Sequence, residues 1–78
     1  MTVARDLVIY GRANCQQCHA TRRKADSLGL AYRYVDLDQD ADAECRLQQE
    51  GHRSLPVVEA DDLVWVGFRP DRLEELLR

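Results

Sequence analysis

No stretch of the sequence approaches the roughly 20 consecutive apolar residues that a membrane-spanning helix requires, so no membrane association is expected. The first fifteen residues include Arg5, Asp6 and Arg12, where a secretory signal would need an uninterrupted apolar segment. A cytoplasmic protein is therefore expected. Cysteine is scarce and odd in number, three in all, and in a compartment that keeps thiols reduced such a set does not build a disulfide framework. The cysteines are left for chemistry, metal binding or packing. An excess of positive charge is also missing, because 11 Lys and Arg face 14 Asp and Glu for a net charge of −3. That balance argues against a nucleic-acid partner, whose phosphates are held by clustered cations. The length of 78 residues leaves room for one domain, 1–78, without repeats or linkers.

The charges that are present are unevenly spread. Residues 1–35 carry Arg5, Arg12, Arg22, Arg23, Lys24 and Arg33 against Asp6 and Asp26, and the rest of the chain is acidic. Solvated helix faces account for this, with a basic half that docks an acidic partner as the alternative.

Apolar patterning orders the chain. Leu7-Val8-Ile9-Tyr10 is continuously apolar, as suits a strand buried on both faces, and it stops at Gly11. From Cys15 to Leu28, the positions Cys18, Thr21, Ala25 and Leu28 recur at helical spacing, and Gly29 stands where a helix terminates. Tyr32–Leu37 reads as a second strand, followed by the acidic cluster Asp36, Asp38, Asp40 and Asp42 that favours a helix start. A helix over 41–50 follows, with Ala43 and Leu47 on one face and Gly51 closing it. Pro56-Val57-Val58-Glu59 and Leu63-Val64-Trp65-Val66 form a hairpin across Ala60-Asp61-Asp62, since so short a link joins only antiparallel strands. Pro70 and Asp71 open a terminal helix whose apolar side is Leu73, Leu76 and Leu77. The order β-α-β-α-β-β-α predicts an α/β fold. A right-handed crossover makes the first two strands parallel, and the hairpin joins them in a four-stranded mixed sheet that buries its apolar face between helices on both sides.

Cys15-Gln16-Gln17-Cys18 falls between the first strand and the first helix, the context in which a C-x-x-C pattern points to redox chemistry. A helix N-terminus stabilises anions, so Cys15 is the candidate nucleophilic thiolate. Cys18, nearly one turn later, is placed to resolve the mixed disulfide that Cys15 makes. Arg12 is expected to add positive potential nearby. Leu55-Pro56 at the start of the third strand is expected to be a cis peptide that exposes the preceding backbone to an extended substrate. Adjacent His19 also completes the pattern of a c-type haem attachment, a chemistry that takes place outside the cytoplasm. A zinc site from Cys15, Cys18 and one of Cys45, His19 or His52 is a further alternative, although Cys45 and His52 do not form a short ligand knuckle. Cys45 is read as a small residue packed or half-exposed on the second helix. Trp65 suits a core or a partner surface equally, whereas Phe68 and Arg69, in a turn, suit recognition.

Tyr10-Gly11-Arg12-Ala13-Asn14, Cys15-Gln16-Gln17-Cys18, Leu55-Pro56-Val57-Val58 and Trp65-Val66-Gly67-Phe68-Arg69-Pro70-Asp71 together span nearly the whole chain. With these segments the sequence resembles the thioredoxin superfamily in its minimal glutaredoxin-like form, and most specifically the NrdH-type redoxins. Gly67-Phe68-Arg69-Pro70 carries the distinction, because glutaredoxins usually have there a Gly-Gly and acidic turn that helps hold glutathione. The resemblance implies a thioredoxin-like fold and a dithiol-disulfide oxidoreductase, with Cys15 and Cys18 catalytic. It implies Arg12, Leu55, Pro56, Trp65, Gly67, Phe68, Arg69 and Pro70 as the substrate and partner surface. It further implies a monomeric electron carrier with no bound cofactor or metal, drawing on NADPH through thioredoxin reductase and delivering electrons to the large subunit of class Ib ribonucleotide reductase. A glutaredoxin dependent on glutathione or another small thiol is one alternative, and a metal or iron-sulfur carrier is another. Val66 stands where serine is usual, Ala13 where proline is frequent, and Leu55 where smaller or polar residues are common.

Overall fold

Leu7, Val8, Ile9 and Tyr10 are all buried because the strand they form lies at the heart of the sheet, with layers packed on both of its faces. The computed structural model describes residues 6–77; Arg5, counted among the cations of the basic half, lies outside them. The elements run β1 (Leu7–Gly11), α1 (Gln16–Ser27), β2 (Arg33–Asp36), α2 (Ala41–Gln49), β3 (Val57–Ala60), β4 (Leu63–Val66) and α3 (Pro70–Glu75). The sheet order is β2-β1-β3-β4, with β1 and β2 parallel and the other pairs antiparallel. This is the expected mixed sheet, with element boundaries within two residues of those read from the sequence.

Register explains the two faces. Ile9 pairs with Tyr34 on one side and Val58 on the other, and Val58 pairs with Trp65. That row faces α1 and α3, where Leu7, Ile9, Ala25, Val58, Ala60, Trp65 and Leu73 form one core. One residue along, Val8, Tyr10 and Val57 point the other way and meet Leu37 and Leu47 beneath α2. Each fully buried aliphatic side chain contributes about 1.5–3 kcal/mol through removal from water.

Helix ends are set locally. α1 and α2 both finish in a left-handed glycine, Gly29 (φ 73°) and Gly51 (φ 88°). The next N–H in each case reaches back a full turn, from Leu30 to the Ala25 carbonyl and from His52 to the Leu47 carbonyl, both at 3.0 Å, which satisfies otherwise orphaned carbonyls. Asp40 caps α2 by accepting from the Ala43 N–H at 3.0 Å, worth about 1 kcal/mol.

Two expectations need correction at the C-terminal end. α3 stops at Glu75, so Leu73 is buried and Leu76 partly packed, but Leu77 is 56% exposed rather than on the helix's buried side. The hairpin buries its apolar face only in part. β3 buries Val57, Val58 and Ala60, but on β4 Leu63, Val64 and Val66 are exposed and only Trp65 is covered, because β4 is the sheet edge and the core beneath α2 ends at Val57.

Beneath α2, Tyr10 binds the layers together: its hydroxyl donates to Glu59 (3.0 Å) and accepts from Arg46 (2.8 Å), which also pairs with Glu50 and Glu59. Burial, then Glu59, raises the Tyr10 pKa above 10.0, and burial raises that of Tyr34 as well. A raised folded-state pKa means the unfolded chain loses these protons first, so their contribution is intact below about pH 10 and is lost as pH climbs through the folded values. Absorbance titration at 295 nm should show Tyr10 and Tyr34 ionising above free tyrosine, with stability falling over the same range. Normal titration of all the tyrosines in the folded protein would contradict this.

Candidate active site

The site begins where β1 ends. Gly11 lies against α1 so closely that a Cβ on it would fall 2.6 Å from the Cys18 sulfur and 2.9 Å from the Tyr34 hydroxyl oxygen. The chain then turns through Arg12–Asn14, with the Cys15 N–H returning to the Arg12 carbonyl at 3.3 Å. Cys15 is the N-cap of α1 in extended conformation, half-buried, and its sulfur accepts the Cys18 N–H at 3.1 Å. The first turn of α1 contains no acidic residue, so the positive end of the helix acts on this sulfur without local opposition. Cys18 is fully buried and disulfide-bonded to Cys15, with Cα atoms 5.2 Å apart. An accessible sulfur at a helix N-cap bonded to a buried partner is an arrangement for thiol-disulfide exchange: the outer sulfur can be attacked, and the inner one is held in reach of it.

Two further segments close around the pair. Leu55-Pro56 is a cis peptide, as expected, with Pro56 fully buried. The Pro56 carbonyl accepts the Gly67 N–H at 2.8 Å, and Gly67 takes a left-handed conformation (φ 91°) that turns the chain back. The next N–H, of Phe68, donates to Gln17 Oε1 at 3.1 Å. Gln17 therefore ties the C-x-x-C turn to the segment around Phe68, a role with no signal in the sequence because any exposed polar residue suits that position.

The glutaredoxin family profile matches residues 7–65. The glutaredoxin-like protein NrdH of Salmonella typhimurium is 49% identical over 70 residues, covering 90% of this chain and 86% of its own. The chain belongs to the NrdH-type branch of the glutaredoxin family. NrdH of Escherichia coli strain K12 is 43% identical, again over 90% of this chain and 86% of its own. The solved structure of Escherichia coli NrdH-redoxin, described as having a thioredoxin-like activity profile, matches with a TM-score of 0.88 at 42% identity, over 91% of this chain and 93% of that one. The fold is thioredoxin-like, and the Cys15–Cys18 pair is that of a thiol-disulfide oxidoreductase.

The NrdH-type segment 65–71 divides its labour. Trp65 is 8% exposed and packs in the core beneath α1 and α3, so its bulk supports the turn from below. Phe68 is 37% exposed at the rim. Arg69 forms a two-point pair with Asp71 (3.2 and 3.0 Å), which holds the Asp71 carboxyl below its ordinary pKa, and Pro70 opens α3. Leu55 is half-buried against the α2-side core.

Arg12 does not serve as a free cation. Its guanidinium is paired with Asp38 (2.6 Å) and Glu44, so its charge is neutralised between β2 and α2. The basic run on α1 is likewise dispersed: Arg22 lies 4.0 Å over the Tyr34 ring, Lys24 pairs with Glu74 at 3.0 Å, and Arg23 is exposed. His19 Nε2 meets the Ala13 carbonyl at 2.6 Å, bracing the loop before Cys15. Cys45 is exposed on α2, not packed, because the buried side of that helix passes through Leu47. Among the described residues, no three His, Cys, Asp or Glu side chains converge as a metal site, so the structure does not bring Cys45 or His52 to the C-x-x-C pair. Also among the described residues, no helix is long and apolar enough to cross a membrane.

Replacing Gln17 by leucine should keep the helix but release the Phe68 N–H. The Phe68 and Gly67 amides should then exchange with solvent several-fold faster, with unfolding stability lowered by about 1 kcal/mol. Unaltered exchange at Phe68 would show that Gln17 does not hold the turn.

Proposed function

We propose that this protein is a two-electron carrier that takes electrons from thioredoxin reductase and delivers them to class Ib ribonucleotide reductase. In this reading Cys15 attacks the target disulfide, Cys18 resolves the mixed disulfide, and Pro56 with the Gly67–Pro70 turn lines the groove in which the partner's peptide lies. Trp65 supports that turn from the core, and Leu55 and Arg12 belong to the same partner surface. The protein binds no organic cofactor of its own and draws on NADPH through the reductase. It works as a cytoplasmic monomer.

The observation that carries this reading is the Cys15 sulfur, capping a helix whose first turn holds no acid and accepting the Cys18 amide, beside a Gly67-Phe68-Arg69-Pro70 turn rather than the glycine-and-acid turn that suits glutathione. An accessible thiolate next to an exposed aromatic rim fits a protein disulfide as substrate. The test follows NADPH loss with a disulfide substrate, in one cuvette with thioredoxin reductase and in another with glutathione and glutathione reductase. Turnover confined to the first supports the proposal. Turnover confined to the second makes the protein a glutathione-dependent glutaredoxin and overturns it.

A further inference from the structure

Two buried polar side-chain atoms lack a hydrogen-bond partner among the described residues, and one of them, the Tyr34 hydroxyl, lies beside the redox pair. It and the Cys18 sulfur both approach the point where a Gly11 Cβ would stand, at 2.9 and 2.6 Å. Glycine at 11 is what leaves space for them to share. Leaving a buried hydroxyl unsatisfied is costly, and such groups are uncommon in folded proteins. In the disulfide form the Cys18 sulfur is bonded to Cys15 and is a poor acceptor. In the dithiol form it is a thiol or thiolate that needs a partner, and it is fully buried, so solvent does not supply one.

We propose that the Tyr34 hydroxyl is the hydrogen-bond donor for the Cys18 sulfur once the disulfide opens, which makes Tyr34 a positioning residue for the resolving thiol. Arg22, stacked 4.0 Å over the ring, fixes the phenol in place. The charged groups acting on it are Arg22, which lowers its pKa, and Asp36 and Asp38, which raise it; burial is the largest cause and the net direction is upward, so the phenol, protonated at neutral pH in any case, remains a donor. The inference rests on the dithiol chemistry of the proposed function but not on either of its partners.

The electron balance is that of thiol-disulfide exchange. The Cys15 thiolate attacks one sulfur of a substrate disulfide, the substrate S–S bond breaks, and the first substrate thiolate leaves. Cys18 then gives up its proton and attacks the Cys15 sulfur. The bond between Cys15 and the substrate breaks, the second substrate thiolate leaves and takes up a proton, and the Cys15–Cys18 disulfide is restored. Tyr34 keeps its proton throughout. It stabilises Cys18 only while that residue is reduced, which lowers the barrier to forming the resolving thiolate and favours the dithiol over the disulfide.

Tyr34→Phe retains the ring and its stacking while removing the donor. Equilibration with the dithiothreitol couple should shift about tenfold towards the disulfide, equivalent to a potential ~30 mV more negative. Carbon-13 NMR titration of the cysteine Cβ signals should move the Cys18 transition to higher pH and leave that of Cys15 in place. The unfolding midpoint of the oxidised form should hold or rise, because an orphaned hydroxyl is removed, while that of the reduced form falls. Equal midpoint shifts in both redox forms, with the equilibrium and the Cys18 titration unchanged, would assign Tyr34 to packing and overturn the proposal. Failure of the wild-type protein to equilibrate with dithiothreitol would instead overturn the dithiol chemistry itself.

Discussion

Cys15→Ser should reduce disulfide turnover to the uncatalysed background, whereas Cys18→Ser should stall with substrate covalently attached at Cys15. The asymmetry follows from position. Cys15 caps α1 as a half-buried residue whose sulfur accepts the Cys18 amide, whereas Cys18 has no exposure at all, so Cys15 is the cysteine an incoming disulfide can reach and the one the helix end stabilises as an anion. Cys18 is fully buried and meets no substrate directly; its work is to displace the substrate from Cys15. With a fluorescent disulfide peptide, mass spectrometry of the Cys18→Ser protein should show one peptide attached per chain, and of the Cys15→Ser protein none at either active-site position. Cys45 is exposed, so both variants need a Cys45→Ser background, which itself should leave turnover unaltered. Equal residual turnover in the two variants would sink the two-thiol mechanism.

Leu73→Ala should cost about 2–5 kcal/mol, the range for emptying a well-packed aliphatic site. Leu73 is the one fully buried residue of α3 and joins Ala25, Ile9, Val58 and Trp65 in the larger core. A six-residue helix has no independent stability, so α3 exists because Leu73 docks it, assisted by Leu76 and the Lys24–Glu74 pair. Against a total stability of about 5–15 kcal/mol for a small domain, this loss is large, and Tm should fall by roughly 8–40 °C. The effect should reach the site, since Arg69 caps α3 and Phe68 precedes it. Thermal unfolding followed by circular dichroism gives the first number, and the Michaelis constant for a protein disulfide at a temperature where the variant is folded gives the second. A Tm within a few degrees of the parent would mean that α3 is held by other contacts.

Features encoded by neighbouring residues were legible in the sequence. The glycines after α1 and α2 mark their ends because only a residue without a Cβ takes the left-handed turn there without strain. Cys15-Gln16-Gln17-Cys18 between a strand and a helix fixed the redox pair for the same local reason. What stayed hidden depends on partners distant in sequence. Arg12 reads as a free cation near the thiols until Asp38 and Glu44, from β2's end and α2, are found on its guanidinium. Trp65 reads equally as core or surface until the register places it opposite Val58, under α1 and α3. Leu77 satisfies the helical spacing, yet α3 ends before reaching it. Val64, 52% exposed, and Val66 look like interior strand residues and are not, because strand order, not composition, decides which edge goes uncovered. Tyr34 offered no functional signal at all: its proximity to Cys18 exists only because β2 runs parallel to β1 beside Gly11.

The most direct test of the proposed electron path is a reconstitution containing NADPH, thioredoxin reductase, this protein and a class Ib ribonucleotide reductase, with deoxyribonucleotide formation and NADPH loss measured together. One deoxyribonucleotide should appear per NADPH consumed, dependent on the protein and absent with Cys15→Ser. Product formation that proceeds equally with Cys15→Ser, or that fails here while dithiothreitol drives the same ribonucleotide reductase normally, would contradict the proposed role as its electron donor.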